Sequence, residues 1–204
     1  MLAAAALLAE ACAPRVTPLQ GAPAPDRSLP QIPLAGTHRH VTFRWDYEEG
    51  TIIAHGEGSI RASAPDSARV DLFLAGGLPA GHAVLIGDSI GGSNAEQVRK
   101  FLPPAPMMWA TLGRLAVPPL PDTVLTVDGA TMYADIGRPA TWRVTIKSGR
   151  LMQLAHLSGG RISEVVTRDD GGRLLYEVPG RRKLWLGINR DEEVPAFDAA
   201  IFTR

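Results

Sequence analysis

One cysteine, three lysines and no surplus of charge of either sign are what these 204 residues are poorest in, and each shortage removes a class of function. Cys12 has no second thiol to meet, so the chain forms no internal disulfide and assembles no thiolate metal cluster. The formal charge is +0 at pH 7, from 21 basic and 21 acidic residues. A basic face that would hold a phosphate backbone is therefore not expected, and nucleic acid is set aside as a partner. Lys100, Lys147 and Lys183 stand beside 18 arginines, a bias that codon composition produces in a chain this rich in Ala, Gly and Pro. Beyond the N-terminus no apolar stretch approaches the roughly 20 residues that cross a bilayer as a helix. No glycine-rich phosphate loop follows a strand, and no cofactor is implied.

The length suits one domain with a tail. Residues 1–12 run from an Ala/Leu-rich stretch, Leu2 to Ala9, through Glu10-Ala11 to Cys12. This resembles the end of a bacterial lipoprotein signal, in which a short apolar segment and small residues precede a cysteine that is lipidated. Glu10 and the lack of Lys or Arg before the apolar run depart from that pattern, which leaves a cleaved secretory signal as an alternative. A start placed downstream of the true one would account for the missing charge. Residues 13–36 carry Pro14, Pro18, Pro23, Pro25, Pro30 and Pro33 without a period of two or 3.6, and are expected to be an extended spacer between an anchor and a folded body.

From Thr37 the rhythm is two. Val41, Phe43, Trp45 and Tyr47 fall on one face of a strand and Thr42, Arg44 and Asp46 on the other. Similar segments follow, separated by turn residues at near-regular intervals: Ile52 to Ser63, Arg69 to Leu74, His82 to Asp88, then a further series from Thr123 to Phe202. Gly56 and Gly58 predict a bulge or tight bend, and Asp128-Gly129 between alternating runs predicts a tight hairpin. No strand-helix-strand spacing is present. The expected fold is mainly β: residues 37–204 form a single large curved antiparallel sheet, or incomplete β-barrel, of ten or eleven strands with a helical lid.

The lid is expected from an insert at 93–113. Ser93-Asn94-Ala95-Glu96 fits a capping box, Pro103 and Pro104 stop a first helix, Pro106 opens a second, and Gly113 suits its C-terminal end. Met107, Met108, Trp109 and Leu112 make this second helix soft and apolar, adaptable to an irregular greasy partner or equally to the interior of the sheet itself.

A lipoprotein-like start, a Pro-rich stretch, one continuous antiparallel sheet and a helical insert together resemble the bacterial lipoprotein-localisation carriers and receptors of the LolA/LolB type. That resemblance covers residues 38–204 and is one of architecture. It implies a non-enzymatic, monomeric protein of the cell envelope, on the periplasmic side of the outer membrane. It further implies an apolar hollow for an acyl chain, lipid or acylated protein, with membrane attachment through lipidated Cys12. Met107, Met108, Trp109 and Leu112 would then serve as the lid, and Ala75 to Gly81, with Leu78 at its tip, as an exposed apolar loop. Candidate walls on the alternating strands are Phe43, Trp45, Leu72 and Leu74, then Leu85, Met132, Trp142 and Val144. Burial of apolar area, at about 25 cal/mol per Å², would drive such binding. The alternative is a packed sheet without a cavity, acting as a structural or protein-interaction module.

Val84 to Ile90 resembles the first block of GDSL-type esterases, with Ser89 as nucleophile. The base such a serine needs would have to be His156, which lacks the aspartate three places before it, and the oxyanion block is missing. Gly87-Asp88-Ser89 is accordingly read as a turn. His38 and His40 share a strand face but call in no further metal ligands. Asp169-Asp170-Gly171-Gly172 is a hairpin turn and not a calcium loop, and Arg181-Arg182-Lys183 is a solvated strand entrance or a contact for anionic head groups.

Overall fold

A computed structural model describes residues 15–92, 101–118 and 120–203. Within them lie β1 (Ala22–Pro23), β2 (His38–Glu49), β3 (Ile52–Ser63), β4 (Ser67–Leu74), β5 (Leu78–Ile86), β6 (Ser89–Gly91) and the helix α1 (Ala105–Thr111). There follow β7 (Val124–Asp128), β8 (Thr131–Ile136), β9 (Trp142–Lys147), β10 (Arg150–Ser158), β11 (Arg161–Arg168), β12 (Leu174–Val178) and β13 (Arg182–Glu193). All pair antiparallel in one 13-stranded sheet that does not close into a barrel.

The order across the sheet is β1-β7-β8-β9-β10-β11-β12-β13-β2-β3-β4-β5-β6. Two meanders, β2 to β6 and β7 to β13, are sewn together where β13 meets β2, from Arg182 opposite Glu49 to Glu193 opposite Arg39. This topology decides where the insert goes. It leaves β6 at one edge and returns at β7 near the other, and its described helix α1 packs on the apolar face of the sheet, against β10 and β11. Alternation supplies the surface it meets: Val41, Phe43, Trp45 and Tyr47 of β2 are all buried, with Val70 and Leu72 of β4 and Val144 and Ile146 of β9 in the same cluster.

Several expectations change. Gly56 and Gly58 form no bulge, since β2 and β3 stay in register throughout, with Gly58 opposite Phe43 and Gly56 opposite Trp45. A Cβ at Gly58 would collide with the Phe43 ring, and one at Gly56 with the Phe73 carbonyl. These glycines make room for aromatic rings lying across the neighbouring strand. The segment expected to be an extended spacer turns at Ala24 to Arg27 and, from Arg15, is docked along the sheet. Arg15 bridges Arg161, Ala22 and Pro23 pair with β7, and Leu34 is buried. The expected last strand, Phe197 to Phe202, is instead a 3-10 helix, Ala199–Phe202, because Asp198 accepts the Ala200 N–H at 2.9 Å and competes with strand pairing. It packs beside β4 and β5, on whose outer face Val84 is also buried. β1 and β6 are additions to the expected strands. The capping box at 93–96 and the segment 1–12, with Cys12, lie outside the described residues.

Candidate functional site

The face of the sheet that α1 covers is an apolar belt between two polar ends. The belt contains Phe43, Trp45, Leu72, Leu85 and Val144, all buried. Against it stand Met107, Met108, Trp109 and Leu112 from the insert, also buried and in the same continuous cluster. Met132 and Trp142 are half-buried against its margin. Leu74, at the end of β4, lies outside the belt and is 38% exposed. The wall and plug residues expected from the sequence are thus brought together, with Leu74 apart from them.

Little space remains between wall and plug. One void of about 20 Å³ lies among Phe43, Trp45, Ile60, Leu72, Met108 and Leu186. Another of about 30 Å³ lies at the polar end, beside Arg39, Thr111, Leu112, Arg168 and Asp191. A single water needs roughly 10–15 Å³ of such space, so neither void has room for an acyl chain.

The helix is seated by a few directed bonds. Pro104 caps it and Pro106 occupies its second position, one later than expected, where a missing N–H costs nothing. At the other end Gly113, at φ +82°, donates to the Ala110 carbonyl at 3.0 Å while Arg114 N donates to Trp109 O at 2.9 Å. This paired closure needs a left-handed residue, which glycine supplies. Trp109 Nε1 donates to Gly87 O at 2.6 Å. The last carbonyls, which the helix itself leaves unmet, are taken by arginines from the sheet: Arg168 Nη2 to Thr111 O at 2.8 Å and Arg39 Nη1 to Leu112 O at 3.1 Å. Arg39 also pairs with Asp191. Burial, and then the charges of Arg150 and Arg39, push the Arg168 guanidinium below its ordinary pKa.

At the opposite end of the belt, Arg182 Nη2 donates to the Tyr176 hydroxyl at 2.7 Å, and that hydroxyl donates to Glu164 at 2.7 Å. Burial, then the bond to Glu164, raises the Tyr176 pKa. Tyr47 donates to Glu49 at 2.5 Å, and this bond is the main cause that lowers the Glu49 pKa.

These polar ends were missed from the sequence, although a signal existed. Arg39 continues the buried stripe of Val41, Phe43 and Trp45, and Arg168 continues that of Val166. A charge prolonging an apolar stripe marks a group that must find a partner inside.

The other candidates are engaged elsewhere. Gly87 and Asp88 form the turn between β5 and β6, with Ile86 opposite Ser89. The His156 Nδ1 lies 2.9 Å from Ser163 Oγ and its ring lies 4.7 Å from that of Trp142, tilted by 46°. His38 and His40 meet Ser63 and Ser59, at 3.1 and 3.0 Å. Among the described residues no three His, Cys, Asp or Glu side chains group as a metal site would require. The far rim of the sheet exposes Leu78 at 64% and Ile53 at 75%.

No family model matches the sequence, and no curated protein matches it. Solved structures do. An outer membrane lipoprotein-sorting protein domain from Vibrio parahaemolyticus aligns over 81% of this chain and 89% of its own, at 6% identity and a TM-score of 0.47. A DUF1329 family protein from Desulfovibrio piger aligns over 83% and 90%, at 11% identity and a TM-score of 0.47. A LolA superfamily protein from Nitrosomonas europaea aligns over 85% of this chain and 93% of its own, at 10% identity and a TM-score of 0.52, so the curved sheet with its crossing insert is the fold of a LolA superfamily protein.

Proposed function

We propose that this chain is a non-enzymatic protein of the bacterial envelope that takes the acyl chain of a lipid or acylated protein into the hollow, in place of helix α1. The observation that carries this is an apolar belt stoppered by a helix lying on a connection between opposite sheet edges and held by few bonds. The exchange is close to balanced. Burying a dozen methylenes is worth about 10 kcal/mol at ~0.8 kcal/mol each, and the four large side chains of the plug, at roughly 1.5–3 kcal/mol each, lose a similar amount when they leave. Such a balance suits uptake and release. Exposed Leu78 and Ile53 give the rim an apolar contact toward a membrane, and acylated Cys12 would tether the chain at the outer membrane, as a monomer.

A second reading, a packed interaction module without a ligand, is favoured by the two small voids. Native mass spectrometry of the full chain, purified without denaturant and then incubated with a fluorescent dodecanoyl probe, separates the two. Retained or added acyl mass is expected. A protein that stays ligand-free at saturating probe would leave the module reading in place.

A further inference from the structure

The face of the sheet turned away from α1 carries a glycine that the fold does not explain. Gly187 lies inside β13, in register opposite Arg44, before the irregularity that falls between Ile188 and Arg190. A glycine within a strand weakens it. Gly56 and Gly58 have their reason in the atoms a Cβ would strike, whereas a Cβ on Gly187 would meet nothing within 4 Å. Its φ lies outside the left-handed region. Neither packing nor backbone conformation asks for this glycine, and what remains is close approach by something from outside.

The open space belongs to a recess of about 500 Å³. Thr167 of β11, Leu175 of β12, Trp185 of β13 and Asp46 of β2 stand in one row across the strands, each opposite the next. Arg173 and Asp169, from the turn between β11 and β12, close another side. Lys183 approaches the Trp185 ring at 5.9 Å from two residues before it; Gly187, two residues after it, leaves the recess on the other side. The polar groups around this space are uncommitted. The Asp46 carboxylate, the Thr167 hydroxyl and the Trp185 indole N–H have no partner among the described residues, unlike the bonded indoles of Trp45 and Trp109. Arg173 donates through Nε to Asp169 at 2.8 Å, which leaves its terminal nitrogens to donate elsewhere. Nearby charges are matched in pairs, Arg173 with Asp169, Lys183 with Glu177 and Arg44 with Glu57, so that Asp46 alone is left over.

We propose that this recess binds the pyranose ring of a saccharide. Such a ring has an apolar C–H face, which lies against the Trp185 indole and over Gly187, and a rim of hydroxyls that both donate and accept. Asp46 accepts from them, and the Trp185 N–H and Arg173 donate to them. A nearly neutral site suits a neutral ligand, and the volume falls within the roughly 300–1,000 Å³ of small-ligand sites. The site lies on the face opposite α1, so it is independent of acyl uptake.

The test uses the full chain labelled with nitrogen-15 in its four tryptophans, whose indole N–H signals are followed by NMR, with Trp185→Phe to assign the signal of Trp185. The probe is methyl β-D-glucopyranoside, whose ring substituents are all equatorial, so that both ring faces are C–H; cyclohexylmethanol and tetramethylammonium are the comparison ligands. A saturable shift of the Trp185 signal at millimolar sugar is expected, with Trp45 and Trp109 unmoved and cyclohexylmethanol at least ~10-fold weaker, because it leaves the polar groups unmet. Gly187→Val fills the recess with a residue that favours a strand, and is expected to melt no lower than the parent while binding the sugar at least ~10-fold more weakly. No Trp185 shift in the unmodified protein up to the solubility of the sugar would overturn the proposal, whether or not the variant folds. Undiminished binding by folded Gly187→Val would do the same. Tetramethylammonium or cyclohexylmethanol binding as tightly as the sugar would replace the saccharide by a cation on Asp46 or by a plain apolar ligand. Shifts at Trp45 and Trp109 without one at Trp185 would move the sugar away from this face and sink the site.

Discussion

If an acyl chain enters by displacing α1, weakening the bonds that seat the helix should tighten ligand binding. Arg168→Met keeps an apolar stem and deletes the donor to Thr111 O, the 2.8 Å bond that links β11 to the last turn of the helix. In the seated state the carbonyl then loses its partner; in the displaced state water replaces it. A hydrogen bond from a charged donor is worth about 1.5–3 kcal/mol. Part of this is offset, because burial already disfavours the Arg168 cation and the variant removes that cost. A net shift of about 1.4 kcal/mol toward the displaced state raises the apparent affinity roughly tenfold, since affinity scales with the fraction of protein competent to bind. Fluorescent fatty-acid titration reads the affinity, and urea unfolding confirms that the variant is folded and less stable by a similar amount. Unchanged or weaker binding in a folded variant would refute displacement of the helix as the route of entry.

Gly58→Ala is expected to destabilise by about 1–3 kcal/mol in urea, because the added methyl must force Phe43 out of its packed position. A neutral result would mean that the ring shifts freely. Tyr176→Phe tests the far polar end. The raised pKa means that the folded chain keeps the phenol proton where the unfolded chain, at about 10.0, begins to lose it. Stability is therefore whole below that pH and falls as pH rises above it. The variant should cost about 1–3 kcal/mol at neutral pH, from the lost bonds to Glu164 and Arg182, and should lose less stability than the parent between pH 10 and 12, by thermal melts.

Strand β2 was legible from the sequence because one of its faces is wet: Arg44 and Asp46 are exposed between buried Phe43, Trp45 and Tyr47. The hairpin at Asp128-Gly129 was legible because its turn needs a left-handed residue, and Gly129 sits at φ +56°. Helix α1 was legible from its flanking prolines and Gly113. Pairings between distant segments were not. Nothing local in Arg39 or Glu193 announces that they face each other across 154 residues, and nothing in Ala22-Pro23 announces a partner in β7. Leu74 was misplaced because period two assigns a face and is silent on where the hollow ends. Gly56 and Gly58 were misread as a bulge because their purpose lies in the rings of the adjacent strand. For the site itself, alternation found the hydrocarbon and missed the ends. Arg39 and Arg168 owe their roles to backbone carbonyls at the end of a helix that is set against them only after folding.

The seam between β13 and β2 also sets an order of assembly. Hairpins inside each meander join neighbours in the chain and close early, whereas the seam brings Arg182–Glu193 back to His38–Glu49 and bears the largest loop-closure entropy. A chain growing from its N-terminus thus has two separate hairpin arrays to join before the seam can close. The apolar belt therefore acquires its central strands only once residue 193 has been made.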